Sequence, residues 1–152
     1  MIRLSRFADY GILLTGRMSR DPEALHNAVD LAAATGLPAP TVSKVLARLA
    51  RYGVLESVRG KNGGFRLVRA AHEVSAEDII AAVDGPIALT MCLEEDAECG
   101  VASFCTSRSN LQRINEAVRD ALRQVTLEEL AAPAFPAFVP GDGDAARADR
   151  HG

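Results

Sequence analysis

No run of apolar residues approaches the ~20 needed to span a bilayer, and the N-terminus lacks the apolar core of a secretory signal. A cytoplasmic protein with no membrane partner is the expectation. Cysteine is scarce, at three residues. An odd count argues against a secreted disulfide framework and leaves metal binding or thiol chemistry open. The paired Cys-x2-Cys knuckles of structural zinc are absent. So are a nucleophile–base pairing and a phosphate loop, since the glycine-rich stretch follows a strand and leads into another strand. An enzyme acting on a small-molecule substrate is therefore not expected, and there is no internal repeat. What remains is a chain of 152 residues, 48% hydrophobic, enough for one ordinary domain or two very small ones.

The net charge of −3 conceals an asymmetry. Residues 1–70 hold eleven Lys/Arg against five Asp/Glu, a formal +6, whereas residues 71–152 hold six against fifteen, a formal −9. A basic front half joined to an acidic back half suggests a nucleic-acid-binding module with something attached.

Apolar periodicity predicts a helix from about Leu4 to Met18, with Ser5 as its N-cap and Leu4, Phe7, Ala8, Gly11, Leu14 and Met18 on one face. Asp9 falls about 200° around from Phe7 and points away from that face. A short helix over Ala28 to Ala34 closes at Thr35-Gly36. A second follows with Pro38 or Pro40 in its first turn and Val42, Val45, Leu46 and Leu49 inside. That is a helix-turn-helix pattern. Tyr52-Gly53 ends it, and Val54 to Val58 and Phe65 to Val68 read as strands around a glycine-rich hairpin. The expected fold is mainly α with a small β-wing, a winged helix-turn-helix over residues 1–72.

Residues 73–131 then hold a helix from Ser75 to Val83, a loop carrying the cysteines, and a longer helix from Ser107 to Val125. In the last of these Leu111, Ile114, Val118, Ala121 and Val125 step alternately by three and four, the seam of a coiled coil and hence of a dimerisation helix. Residues 132–152, rich in Ala, Pro, Gly and Asp, read as a disordered tail.

Two constellations carry chemistry. A recognition helix presents short polar side chains near its N-terminus in the major groove, and Thr41, Ser43 and Lys44 occupy that position. Ser and Thr can bond base edges or phosphates, and Lys can reach a guanine or a phosphate; Arg48 and Arg51, further along, suit backbone clamps. The same residues also suit a plain solvated helix start, and the hairpin decides between the two. Arg59 and Lys61, with Asn62 and Gly63, form a basic tip directly after the helix-turn-helix, and an arginine there can enter a narrow minor groove. The second constellation is Cys92-x6-Cys99-x5-Cys105 among Glu94, Glu95, Asp96 and Glu98. Soft thiolates so spaced can wrap an iron–sulfur cluster, leaving a position for a further ligand. The acids nearby disfavour free thiolates unless a cationic metal offsets them. Unpartnered thiols, or a thiol- or zinc-responsive regulator with no cluster, are the alternatives at this point.

The chain resembles the Rrf-type iron–sulfur transcriptional regulators, which include IscR and NsrR. The likeness covers residues 1–131. It rests on Met1 to Ser5 with Phe7-Ala8-Asp9-Tyr10-Gly11, Leu37 to Leu46, Ser57 to Gly60 through Gly63-Gly64-Phe65, the cysteines, and Arg113-Ile114-Asn115. Pro40 to Leu46 and Gly85 to Cys92 are most similar to the subgroup that regulates SUF-system iron–sulfur assembly genes. The resemblance implies a homodimer on a double-stranded DNA operator, with a 2Fe–2S or 4Fe–4S cluster in each subunit whose state switches repression. It implies that Cys92, Cys99 and Cys105 are cluster ligands. The fourth ligand varies in the family. The histidine of IscR-like members falls at Arg108 here, whereas Asp9 stands where NsrR-like members supply an aspartate from the partner subunit. Nitric oxide sensing at the same site is the alternative within the class.

Overall fold

The computed structural model describes residues 4–90, 93 and 107–132. Cys92, Cys99, Cys105 and the tail from Pro133 lie outside the described residues, so the expectations for them are untouched. The chain opens with helix α1, Arg6–Met18, whose predicted cap holds: the Ser5 hydroxyl oxygen accepts the Ala8 N–H at 3.1 Å. The same hydroxyl donates to the Asp84 carboxylate at 2.6 Å, tying the start of α1 to a distant element. Ala8, Gly11, Leu14 and Met18 are buried as their spacing requires, while Leu4 is exposed. Thr15 is also buried, and its hydroxyl satisfies itself by donating back to the Gly11 carbonyl at 2.7 Å.

Helix α2, Ala28–Thr35, is capped by Asn27 and closed by Gly36 at φ +72°, a left-handed position that a side chain rarely adopts. That sharp reversal lets helix α3, Ala39–Tyr52, start almost at once; Pro38 is its N-cap and Pro40 lies in its first turn. Strands β1, Leu55–Val58, and β2, Gly64–Leu67, pair antiparallel with Leu55 opposite Leu67 and Val58 opposite Gly64. His26 adds a bridge to Phe65, the two exchanging backbone bonds of 2.9 and 2.8 Å. A 3₁₀ turn over Ala71–Glu73 leads to helix α4, Ala76–Asp84, which carries the Ser75 cap expected for it, closed reciprocally by Asp78. Helix α5, Arg108–Gln124, follows, and then a short helix α6, Leu127–Ala131.

The sequence reading did not include α6, and its signal was present. Thr126 and Glu129 form a capping box, with the Glu129 carboxylate accepting the Thr126 N–H at 2.7 Å. A five-residue helix cannot hold itself together. It is held instead by Leu127, fully buried, and by backbone bonds from Leu127 N–H to Val74 C=O and from Ala76 N–H to Val125 C=O. Leu127 shares one apolar cluster with Leu14, Met18, Val45, Leu49, Val54, Val74 and Ile79. Helices α1, α4 and α6 thus pack into the same core as the helix-turn-helix.

Candidate nucleic-acid interface and thiolate site

The amphipathic spacing of α3 buries Val42, Val45, Leu46 and Leu49 and turns the other side outward. Ser43 and Lys44 are exposed there and Thr41 is half-buried. The Lys44 ammonium sits 5.4 Å from the centre of the Phe7 ring, a cation–π contact that steadies the lysine without consuming its hydrogen-bonding protons. Arg48 differs. Its guanidinium lies 5.2 Å from the same ring on Phe7 and donates to the Val83 carbonyl at 2.5 Å, in the last turn of α4. A cation at a helix C-terminus is where the helix dipole favours it. Arg48, expected as a DNA clamp, therefore has its charge already engaged within the fold. Phe7, read from the sequence as an apolar face residue, serves as the platform beneath both cations. No local pattern announces that role, because it depends on how α1 crosses α3.

The hairpin between β1 and β2 is closed by Gly63 N–H donating to Gly60 C=O at 3.0 Å. A Cβ on Gly63 would lie 2.2 Å from the Val58 carbonyl oxygen, so the turn admits no side chain there. The tip presents Arg59, Lys61 and Asn62 to solvent. Charges lower on the wing are neutralised: Arg66 pairs with Glu56 across the strands, and Arg69 reaches Asp78 at 3.2 Å and the Glu73 carbonyl at 2.9 Å. Among the described residues Arg59 and Lys61 make no ion pair. The exposed cations of the recognition helix and the wing are thus those able to take phosphates.

Asp9 is exposed on the outer side of α1, and no described side chain pairs with its carboxylate. It borders an open groove of about 630 Å³ with Leu13, Gly16, Arg17, Thr35 and Leu130. Among the described residues no three His, Cys, Asp or Glu side chains gather as metal ligands. His26 Nε2 lies 3.0 Å from the Asp21 carbonyl and His72 is exposed, so neither joins Asp9. As donors, three thiolates and one unpaired carboxylate match an iron–sulfur cluster in kind.

Helix α5 faces in two chemical directions. Its predicted seam is open to solvent at Ile114, Ala121 and Val125, with Leu111 and Val118 half-buried. About 120° around the helix, Asn115, Arg119 and Arg123 recur every fourth residue and face the rest of the chain. Glu77, only 9% exposed, accepts from Arg119 at 2.6 Å and from Arg123, which also bonds Asp120 at 2.8 Å. The hydrogen bond and charge of Glu77 raise the Arg123 pKa further above its ordinary value. Asn115, the one buried residue of α5, donates to the Ile87 carbonyl at 3.1 Å and accepts the Leu89 N–H at 3.0 Å. None of these inward roles was read from the sequence.

The described helices include none long and apolar enough to cross a membrane. The fold, mostly helical with one two-stranded antiparallel sheet, is that of solved winged-helix regulators. CymR, described as the global cysteine regulator of B. subtilis, superposes with a TM-score of 0.66 at 27% identity, over 86% of this chain and 97% of its own. The HTH-type transcriptional repressor NsrR of Streptomyces coelicolor is 29% identical over 141 residues, covering 91% of this chain and 95% of the repressor. The HTH-type transcriptional regulator IscR of Vibrio campbellii is 29% identical over 101 residues, 66% of this chain and 60% of that protein. A family model described as Rrf2, iron-dependent transcriptional regulator, matches residues 4–133. With a winged helix-turn-helix, its exposed cations and that match together, the chain belongs to the Rrf2 family of DNA-binding transcriptional regulators.

Proposed function

We propose that this regulator is a homodimeric, iron–sulfur-cluster-dependent repressor of SUF-type iron–sulfur assembly genes. Cys92, Cys99 and Cys105 of one subunit and Asp9 of the other would hold the cluster. The observation that carries the reading is Asp9: an exposed carboxylate without a described partner, on the outer face of α1, in a chain with three cysteines close together in one polar stretch of sequence. The open apolar seam of α5 supports a second copy as partner, since coiled-coil positions left in water are costly. Thr41, Ser43 and Lys44 would read the major groove while Arg59, Lys61, Asn62 and Gly63 engage the backbone or minor groove. A cluster, when bound, would supply a redox- and iron-sensitive link between loop and dimer, and its binding energy would order the loop. Two recognition helices must match half-sites about one DNA turn apart, so a small change in the dimer alters affinity.

Anaerobic purification with a visible spectrum and iron and sulfide analysis tests this. The expected result is a brown protein with near-equal iron and sulfide, colourless when all three cysteines are alanine and more oxygen-labile as Asp9→Ala. A chain that stays free of iron after anaerobic reconstitution refutes it. The similarity to CymR, a cysteine regulator by its description, favours a second reading in that event: operator affinity set by thiol oxidation. Bleaching by nitric oxide at stoichiometric dose, with oxygen tolerated, would point to nitric oxide as the signal.

A further inference from the structure

We infer that Phe7 is a positioning residue for DNA recognition: its ring, carried on α1, restrains the Lys44 ammonium of the recognition helix before DNA arrives. The inference rests on the reading of Lys44 as a DNA contact. Lysine carries its charge on a flexible four-carbon stem, and ordering that stem on a phosphate or a base edge costs entropy. Lys44 is exposed, and its ammonium lies 5.4 Å from the centre of the Phe7 ring. The ring attracts the charge as a whole, so all three N–H donors stay available to DNA. A side chain already restrained in the free protein loses less freedom on binding.

The ring is itself fixed from three helices. Arg48, one turn along α3 from Lys44, lies 5.2 Å from the ring centre and is anchored to α4 through the Val83 carbonyl. Tyr10, one turn along α1, meets Phe7 edge to face, with centroids 6.5 Å apart and planes at 77°. Two residues before Phe7, the Ser5 hydroxyl bonds Asp84 at the end of α4. Lys44 and Arg48 are like charges four residues apart on one helix, which repel, and the negative face of an aromatic ring offsets that repulsion. Of the two cations on the ring, Arg48 is bonded within the fold and Lys44 is not. A phenylalanine that only filled space would be replaceable by another apolar side chain with no effect that depends on Lys44.

The test uses the full chain as wild type, Phe7→Leu, Phe7→Tyr, Lys44→Met, and Phe7→Leu combined with Lys44→Met, each checked by melting. The chain has two lysines, Lys44 and Lys61, so Lys61 on the wing tip is an internal reference in proton NMR. The Lys44 ε-protons should lie upfield of those of Lys61 through the ring current, in wild type and Phe7→Tyr but not in Phe7→Leu. Affinity is measured by anisotropy on a duplex enriched from a random pool by the wild-type protein. Phe7→Leu should bind about two- to fivefold more weakly, the range of an exposed cation–π contact, and Phe7→Tyr like wild type. Because Phe7→Leu removes no charge, its slope of log affinity against log salt should match wild type. In the Lys44→Met background the same replacement should change nothing; the lost Arg48 contact is common to both backgrounds and cancels. An equal loss with and without the lysine, tighter binding by Phe7→Leu, or coincident lysine signals in wild type overturns the inference alone. Lys44→Met binding like wild type refutes the reading of Lys44, and the inference with it. Should Phe7→Leu not fold, Phe7→Met takes its place, with the ring gone and an apolar side chain kept.

Discussion

Two arginines that look alike in the sequence, Arg48 and Arg59, should fail in opposite ways when removed. Arg48 donates to the Val83 carbonyl at 2.5 Å and lies 5.2 Å from the Phe7 ring centre. A hydrogen bond from a charged donor contributes about 1.5–3 kcal/mol, and a partly exposed cation–π contact about 0.5–1 kcal/mol. Arg48→Ala should therefore cost about 2–4 kcal/mol and lower the melting temperature by several degrees. Its effect on DNA should follow from that loss and leave the salt dependence of affinity alone. Arg59, exposed on the wing without a described ion-pair partner, should leave the melting temperature unchanged as Arg59→Ala. The slope of log affinity against log salt should then fall by about 0.9 if it holds one phosphate. Anisotropy titrations across a salt series, on a duplex enriched from a random pool by the wild-type protein, give the slopes. Melting at fixed protein concentration gives the stabilities. An Arg48→Ala protein that melts normally but loses a phosphate's worth of slope would refute the assignment, as would an Arg59→Ala protein that binds like wild type.

Leu127 is fully buried, so Leu127→Ala should destabilise by about 2–5 kcal/mol, seen as a lower urea midpoint at unchanged slope; a shift under about 1 kcal/mol would mean α6 is not part of the core. Ile114 is 53% exposed on α5, so Ile114→Glu should leave the fold of the chain intact and shift sedimentation of the proposed dimer towards monomer; sedimentation like wild type would refute a subunit contact through this face. Hydrogen bonds from the Thr126 backbone N–H, and then from its hydroxyl, hold the Glu129 pKa below its ordinary value of 4.5. A depressed carboxylate contributes stability above its unfolded value and loses it as pH falls through the folded one. The stability of wild type relative to Glu129→Gln should thus be constant well above the ordinary value of 4.5 and be lost as pH falls below it, followed by urea titration. A difference that grows on acidification would refute the cap.

What could be read from the sequence was local. The stripes of α1 and α3, the Ser5 and Ser75 caps, the Gly36 turn and the hairpin at Arg59–Gly64 each follow from residues within one or two turns of each other, and each stands in the structure. Helix α6 was local too, written in Thr126-Leu127-Glu128-Glu129, but a capping box followed by so few residues has no periodicity to mark it. The role of Arg48 was beyond such reading. Its partners, Phe7 and Val83, come from elements 41 residues before it and 35 after it in the chain, and nothing at Arg48 itself separates a clamp on DNA from a clamp on α4.

The same limit explains α5, where the visible pattern was the apolar seam and the inward contacts went unseen. In most surface helices the apolar stripe faces the chain's own core and the charged side faces water. Here Asn115, Arg119 and Arg123 hold the helix to its own subunit, and the apolar stripe points outward. Periodicity reports that a face is apolar, not which molecule it meets. The consequence is mechanical: Arg119 and Arg123 are 39% and 50% exposed in their side chains, and ion pairs so open to water and salt hold a helix less firmly than buried leucines do. An α5 fixed by apolar burial would be part of the core and could move only with it. An α5 held by one buried amide, by the charge cluster at Glu77 and by the backbone bond between Ala76 and Val125, with its apolar residues at most half-buried, is joined to the winged body chiefly through polar contacts, and the amide in that joint is bonded to Ile87 and Leu89, a few residues before Cys92.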